Sequence, residues 1–292
     1  MSDDHDEIEG SRAPLLEHLV ELRKRLIISV AAFGVGFIIC FAFAQPIYLF
    51  LLHPFEMASR MIAAQKQGAH HGPLELLEVV IGLKAPPAST ENLRLVFTAP
   101  LEFFFTKMKL AGFGAVVLAF PILASQLYRF VAPGLYKREK KAFLPFLLAS
   151  PVLFLMGAAL VYYVMLPFVL WFSLSQQIVT ANISVELLPK VSDYLDLVTK
   201  LLLAFGLCFQ LPVVLSLAGL AGLISSSTLA KGRRYAIVGI VVVAAFVTPP
   251  DPFTQILLSV PIYGLYEISI WCVRLMERRR KTEETKEVAT VP

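Results

Sequence analysis

Two carboxylates stand inside strongly basic stretches. Glu21 lies in Leu16-Glu17-His18-Leu19-Val20-Glu21-Leu22-Arg23-Lys24-Arg25, and Glu139 closes Phe130-Val131-Ala132-Pro133-Gly134-Leu135-Tyr136-Lys137-Arg138-Glu139. Either each acid neutralises its neighbours, or the two bind a cationic ligand. A planar guanidinium matches a carboxylate bidentately, so two carboxylates can read an Arg-Arg pair. Other polar residues fall in or beside apolar runs, where burial is costly and a functional role is the first hypothesis. Glu102 and Lys109 are seven residues apart, on one face of a helix but too distant to pair directly. Gln210 sits in Phe205-Gly206-Leu207-Cys208-Phe209-Gln210-Leu211-Pro212, where the proline weakens the helix and frees a carbonyl. Gln210 either bonds between helices to hold a bundle or contacts a ligand; Glu267 is either a functional acid or the partner of Arg274. The His70-His71 pair reads as solvated loop. The sequence has no Gly-x-Ser-x-Gly elbow, no His-Glu-x-x-His and no Walker A loop. An enzyme is therefore not expected, nor a cofactor or metal, and any work must draw on an ion gradient or a partner.

The elements that must position these groups are membrane helices. Of 292 residues, 57% are hydrophobic and only 16% charged, against about 45–50% and about 25% in soluble domains. Disorder, coiled coil and soluble nucleic-acid binding fit poorly. Cys40, Cys208 and Cys272 all lie in apolar runs without paired spacing and read as small core residues. The acid-rich first 22 residues lack the form of a signal peptide, so the first apolar segment is expected to stay as a span. Six spans are expected, at about 26–44, 102–128, 142–172, 196–223, 235–248 and 253–273. An amphipathic segment, 1–25, precedes them, an outer cap loop of about 45–97 follows the first, and a charged tail, 276–292, ends the chain. With the N-terminus inside, inner segments hold 18 Lys and Arg and outer ones 8, which places both termini in the cytoplasm.

The spans are unequal. Ala142–Leu174 is an uncharged run of 33 residues, about 50 Å if helical, and its Pro145, Pro151 and Pro167 should bend it. Ala236–Val247 has only 12, about 18 Å against a hydrocarbon core of about 30 Å, so it is a short true span or a re-entrant helix. In the cap loop, Glu75–Leu83 could form a short amphipathic helix ended by Ala85-Pro86-Pro87.

Five segments in order resemble the TatC family, the multispanning core of the twin-arginine (Sec-independent) protein translocase. They are His18 to Arg25; Thr98-Ala99-Pro100-Leu101-Glu102; Phe130 to Glu139; Phe205-Gly206 with Pro212; and Thr248-Pro249-Pro250-Asp251 with Gln255. The resemblance runs from about Pro14 to about Arg274. It implies an all-α membrane protein: a glove-shaped concave bundle of six transmembrane helices with short fifth and sixth spans, in the bacterial inner membrane. It implies recognition of twin-arginine signal peptides of folded proteins at the cytoplasmic face, with Glu139 as acceptor and Glu21, Arg23, Phe130, Leu135 and Tyr136 shaping the site. It also implies TatA-like and TatB-like single-span partners, self-association in a larger complex, and transport driven by the proton-motive force. Pro54, Tyr162 and Asp251 match positions linked in the family to function or complex integrity. A partner's polar contact would fall near span five, with Thr248 and Gln255 at its outer end. Many relatives carry an acid where this chain has Gln210, and an amide cannot titrate, so a polar contact is expected there rather than a proton relay.

A secondary solute transporter is the alternative. It calls for repeat symmetry and interrupted helices around a midplane site, and the sequence offers neither a repeat nor a midplane ion cluster.

Overall fold

The computed structural model describes residues 3–66, 79, 95–131, 140–179, 184–185, 189–247 and 252–289. Its helices are α1 (Asp3–Ala42), α2 (Ala44–Lys66), α3 (Glu102–Val131), α4 (Lys140–Leu160), α5 (Leu166–Ser175), α6 (Val191–Cys208), α7 (Leu211–Leu220), α8 (Ser226–Lys231), α9 (Arg233–Val247) and α10 (Pro252–Ala289). A π-helical turn, Val161–Met165, joins α4 to α5, and a two-residue strand pair, β1 (Ile178–Val179) with β2 (Ser184–Val185), precedes α6.

Among the described residues five stretches are long and apolar enough to cross a bilayer: Leu19–Ala42, Glu102–Phe130, Phe146–Ser175, Val191–Leu220 and Pro252–Arg278. The chain is a multi-pass helical membrane protein. The fifth expected span is α9, with 15 residues, about 22 Å long. The first half of the expected cap loop is the helix α2, and Val79 packs on its Met61 beside Trp171; the expected helix at 75–83 otherwise lies outside the described residues.

Apolar side chains on α1 point outward, with Leu26, Ile27, Val30 and Ile38 all exposed. In lipid such a surface costs nothing, and helices associate through close packing and small residues instead. A Cβ on Gly206 would lie 2.5 Å from the Phe154 ring, and one on Gly157 would lie 2.7 Å from the Phe205 carbonyl. These two glycines let α4 and α6 run antiparallel in contact. Gly36 lies against Ala115 and Gly114 against Cys40, which sets α1 antiparallel to α3. The main core gathers Phe55, Tyr162, Leu166, Tyr194, Leu201 and Phe205 between these layers, and Phe120 stacks on Phe154 at 4.0 Å.

Prolines shape the long third run. Pro167 has no N–H to give the carbonyl four residues back. The chain widens just before it: the Leu166 N–H bonds Val161 O, five residues back, as in a π-turn. Pro212 acts likewise. α6 ends at Cys208, Phe209 and Gln210 form a turn, and α7 restarts with the proline in its first turn, where no N–H is missed.

Candidate functional site

The antiparallel register of α1 and α3 carries the Glu21 turn of α1 to the same end of the bundle as Phe130, the last turn of α3. There Glu21 accepts from Arg25, with Nε at 3.1 Å and Nη2 also donating. The carboxylate stays partly open to solvent, its side chain 36% exposed. Arg23 is exposed on the same turn. Leu135, Tyr136 and Glu139 lie outside the described residues, as do Thr248 and Asp251. Glu21 is thus engaged by a neighbouring arginine, the blander of its two expected roles, without being enclosed.

Gln210 is buried, and its amide is held at both ends by one residue. Its Nε2 donates to the Ser150 carbonyl at 2.8 Å, and the Ser150 hydroxyl donates to its Oε1 at 2.6 Å. Tyr128 of α3 reaches the same hydroxyl at 3.5 Å. The amide therefore ties the α6–α7 break to α4, which is the interhelical role foreseen as one of two. Ser150 gave no sequence signal, being one serine in a long apolar run.

Glu102 and Lys109 face α6 together, each with its own partner. Glu102 Oε1 accepts from Ser192 Oγ at 2.5 Å. Its Oε2 accepts from the Thr98 N–H at 2.8 Å, the Thr98 hydroxyl at 3.0 Å and the Ala99 N–H at 3.1 Å. This closes the start of α3 as a capping-box glutamate does. Lys109 pairs with Asp196 at 2.9 Å. Residues seven apart on α3 thus meet residues four apart on α6, at the rim of an open cleft of about 400 Å³.

Pro54 and Tyr162, nominated separately, form one unit. Pro54 lies buried inside α2 and cannot donate to the carbonyl four residues back, that of Phe50. The Tyr162 hydroxyl donates to that very carbonyl at 2.7 Å, while the Tyr162 ring stacks on Phe50 at 4.4 Å. Tyr194 of α6 donates to the next carbonyl, Leu51 O, at 2.6 Å. Two tyrosines from distant helices therefore support the proline turn of α2. Tyr194 was not singled out from the sequence; a buried tyrosine needing an acceptor is the signal that could have found it.

The remaining residues join the last two helices. Gln255 of α10 donates to Val241 O of α9 at 3.2 Å. Glu267 is bidentate with Arg233 at 2.7 and 2.9 Å and accepts from Tyr263 at 2.8 Å. The expected partner Arg274 is replaced because seven residues along a helix is about 10 Å, whereas the antiparallel hairpin sets Arg233 opposite.

This geometry defines a class: a multi-pass helical membrane scaffold in which polar side chains such as Gln210, Tyr162 and Tyr194 tie helices together. Residues 17–261 match the family model of TatC, described as Sec-independent protein translocase protein. The TatC of Magnetococcus marinus is 43% identical over 95% of this chain and 90% of its own length; that of Aquifex aeolicus is 36% identical over 92% and 98%. A crystal structure described as twin arginine translocase receptor TatC superposes with a TM-score of 0.67 at 34% identity, over 88% of this chain and 98% of that one. The chain belongs to the TatC family.

Proposed function

We propose that the chain is the receptor and assembly core of a twin-arginine translocase in a bacterial inner membrane. It binds the Arg-Arg motif of folded export substrates at the cytoplasmic face, where both termini lie. Glu139 is the acceptor for the arginine pair, and Glu21, Arg23, Phe130, Leu135 and Tyr136 shape the site around it. The observation that carries this reading is the antiparallel register of α1 and α3. It brings the Glu21 turn to the end of the bundle where α3 finishes, which supports a shared site there. Glu21, partly open to solvent and paired with Arg25, can exchange that arginine for one of a ligand.

In this reading α9 is a true span, the fifth of six, short enough to thin the bilayer beside it, and the six helices form a concave, glove-like bundle. TatA-like and TatB-like single-span partners dock beside α9, with Thr248, Gln255 and Asp251 at its outer end. The proton-motive force drives transport. Gln210, the polar residue expected in the middle of the fourth span, gives both ends of its amide to Ser150 and so offers no free group for a solute.

The test is site-specific crosslinking of an Arg-Arg signal peptide to the membrane-embedded chain. Glu139→Ala should weaken it, and Glu139→Ala with Glu21→Ala should weaken it further. Undiminished crosslinking in both variants would overturn carboxylate recognition.

A further inference from the structure

α9 and α10 enclose a groove of about 460 Å³ lined by Ile237, Ile240, Val241, Ile256, Val260 and Tyr263, among others. Its polar groups are satisfied within the protein: the Gln255 amide donates to Val241 O at 3.2 Å and the Ser259 hydroxyl to Gln255 O at 2.7 Å. An apolar occupant is therefore called for. The α10 residues that line it run from Pro252 to Tyr263, about 17 Å, so 460 Å³ gives a mean cross-section of about 28 Å². That is far below the section of a helix about 10 Å across and suits a single extended hydrocarbon chain.

The groove has a charged end. Arg234 stands three, four and seven residues before Ile237, Val238 and Val241, on one helical face with them. Its guanidinium lies 4.9 Å over the ring of Tyr235, itself 69% exposed. Lys231, three residues earlier, is exposed as well. Arg233 is already held bidentately by Glu267 and Glu277 accepts from Ser226 at the start of α8, while Lys231 and Arg234 stand exposed as positive charge. A cation pair above an apolar slot, with an aromatic ring at the same level, matches an anionic headgroup above its acyl chain.

We propose that the α9–α10 groove holds an anionic phospholipid, its phosphate at Arg234 and Lys231 and one acyl chain along Ile237, Val241, Ile256 and Val260. The proposal concerns the basic end of α9 and does not depend on signal-peptide recognition. Near a membrane surface each basic residue favours an anionic headgroup by about 1 kcal/mol, roughly five-fold.

The experiment is native mass spectrometry of the purified full chain in neutral detergent. The chain is titrated with palmitoyl-oleoyl phosphatidylglycerol or with the phosphatidylcholine of identical chains. Wild type should prefer phosphatidylglycerol by ten-fold or more. In the Lys231→Gln/Arg234→Gln variant that preference should fall to about two-fold or less, while the charge-matched Lys190→Gln/Lys200→Gln variant keeps it. Ile237→Trp, which fills the groove, should weaken both lipids. Equal binding of the two lipids by wild type, or a preference surviving Lys231→Gln/Arg234→Gln, would overturn the headgroup assignment. Unaltered lipid binding in Ile237→Trp would overturn the acyl seat.

Discussion

The proline clamp of α2 gives a sharp quantitative test. Tyr162→Phe removes one hydroxyl and keeps the ring that stacks on Phe50. The Phe50 carbonyl then loses the donor that reaches it at 2.7 Å. A buried acceptor left unpaired costs about 1–3 kcal/mol in proteins generally, while hydrogen bonds between membrane helices average about 0.6 and reach about 1.7 kcal/mol. A loss of about 1–1.5 kcal/mol is therefore expected, because Tyr162 is only 6% exposed and the carbonyl cannot use the helix ladder at Pro54. In a Pro54→Ala background the residue at 54 regains an N–H that can close the ordinary bond to Phe50 O. There the same Tyr162→Phe change should cost a few tenths of a kcal/mol.

The double-mutant cycle isolates this difference. All four chains would be unfolded reversibly in mixed micelles by increasing the mole fraction of denaturing detergent, with helix content followed by circular dichroism. A coupling of about 0.7 kcal/mol or more between positions 54 and 162 is expected. Independent sites add within about 0.3–0.5 kcal/mol, so additivity at that level would refute the idea that the tyrosine replaces the bond the proline removes. Tyr194→Phe, which frees Leu51 O instead, should couple to Pro54→Ala less strongly, since Phe55 retains its own N–H.

Other outcomes follow from the same geometry. Gln210→Leu should destabilise the bundle by about 1–3 kcal/mol in the same unfolding assay, because the Ser150 hydroxyl and carbonyl lose their buried partner; Ser150→Ala together with Gln210→Leu should cost less than the sum of the two. Glu102→Ala should lower Tm measured by thermal unfolding in detergent, and Glu102→Gln, which keeps an acceptor for Ser192 or Thr98, should lower it less. Lengthening α9 by about four apolar residues adds about 6 Å and should impair export of a twin-arginine reporter in cells; normal export would refute the thinning role of that helix.

How much of this was legible in the sequence depended on how local the cause was. The apolar runs announced the long helices, because a bilayer imposes length directly. The helix boundaries at Pro212 and the widening before Pro167 also have causes within a few residues, and the prolines were visible as bends even though a π-turn was not specified. α2 was different. Ala44–Lys66 carries Pro46, Pro54 and three charges, and reads as the start of a mixed loop. It is helical through Pro54, and Tyr162 and Tyr194, 112 and 143 residues away from the carbonyls they serve, supply what the proline withholds. No local pattern can encode that compensation.

The site obeys the same division. That Glu102 and Lys109 share a helical face follows from their spacing, but their partners Ser192 and Asp196 come from a helix some 90 residues on. For Glu267 the sequence offered Arg274, a basic residue on the same helix, and the structure chose Arg233 across a hairpin. The reason is placement: the antiparallel hairpin sets Arg233 opposite Glu267, whereas Arg274 stands two helical turns, about 10 Å, along the same helix. Glu102, Lys109, Gln210 and Glu267 are thus matched between helices, whereas Glu21 pairs along its own helix with Arg25. A mutation of one such group will be read most clearly on its distant partner, which is why the coupling between positions 54 and 162, more than either single effect, decides whether the resemblance-based residues act as a structural unit.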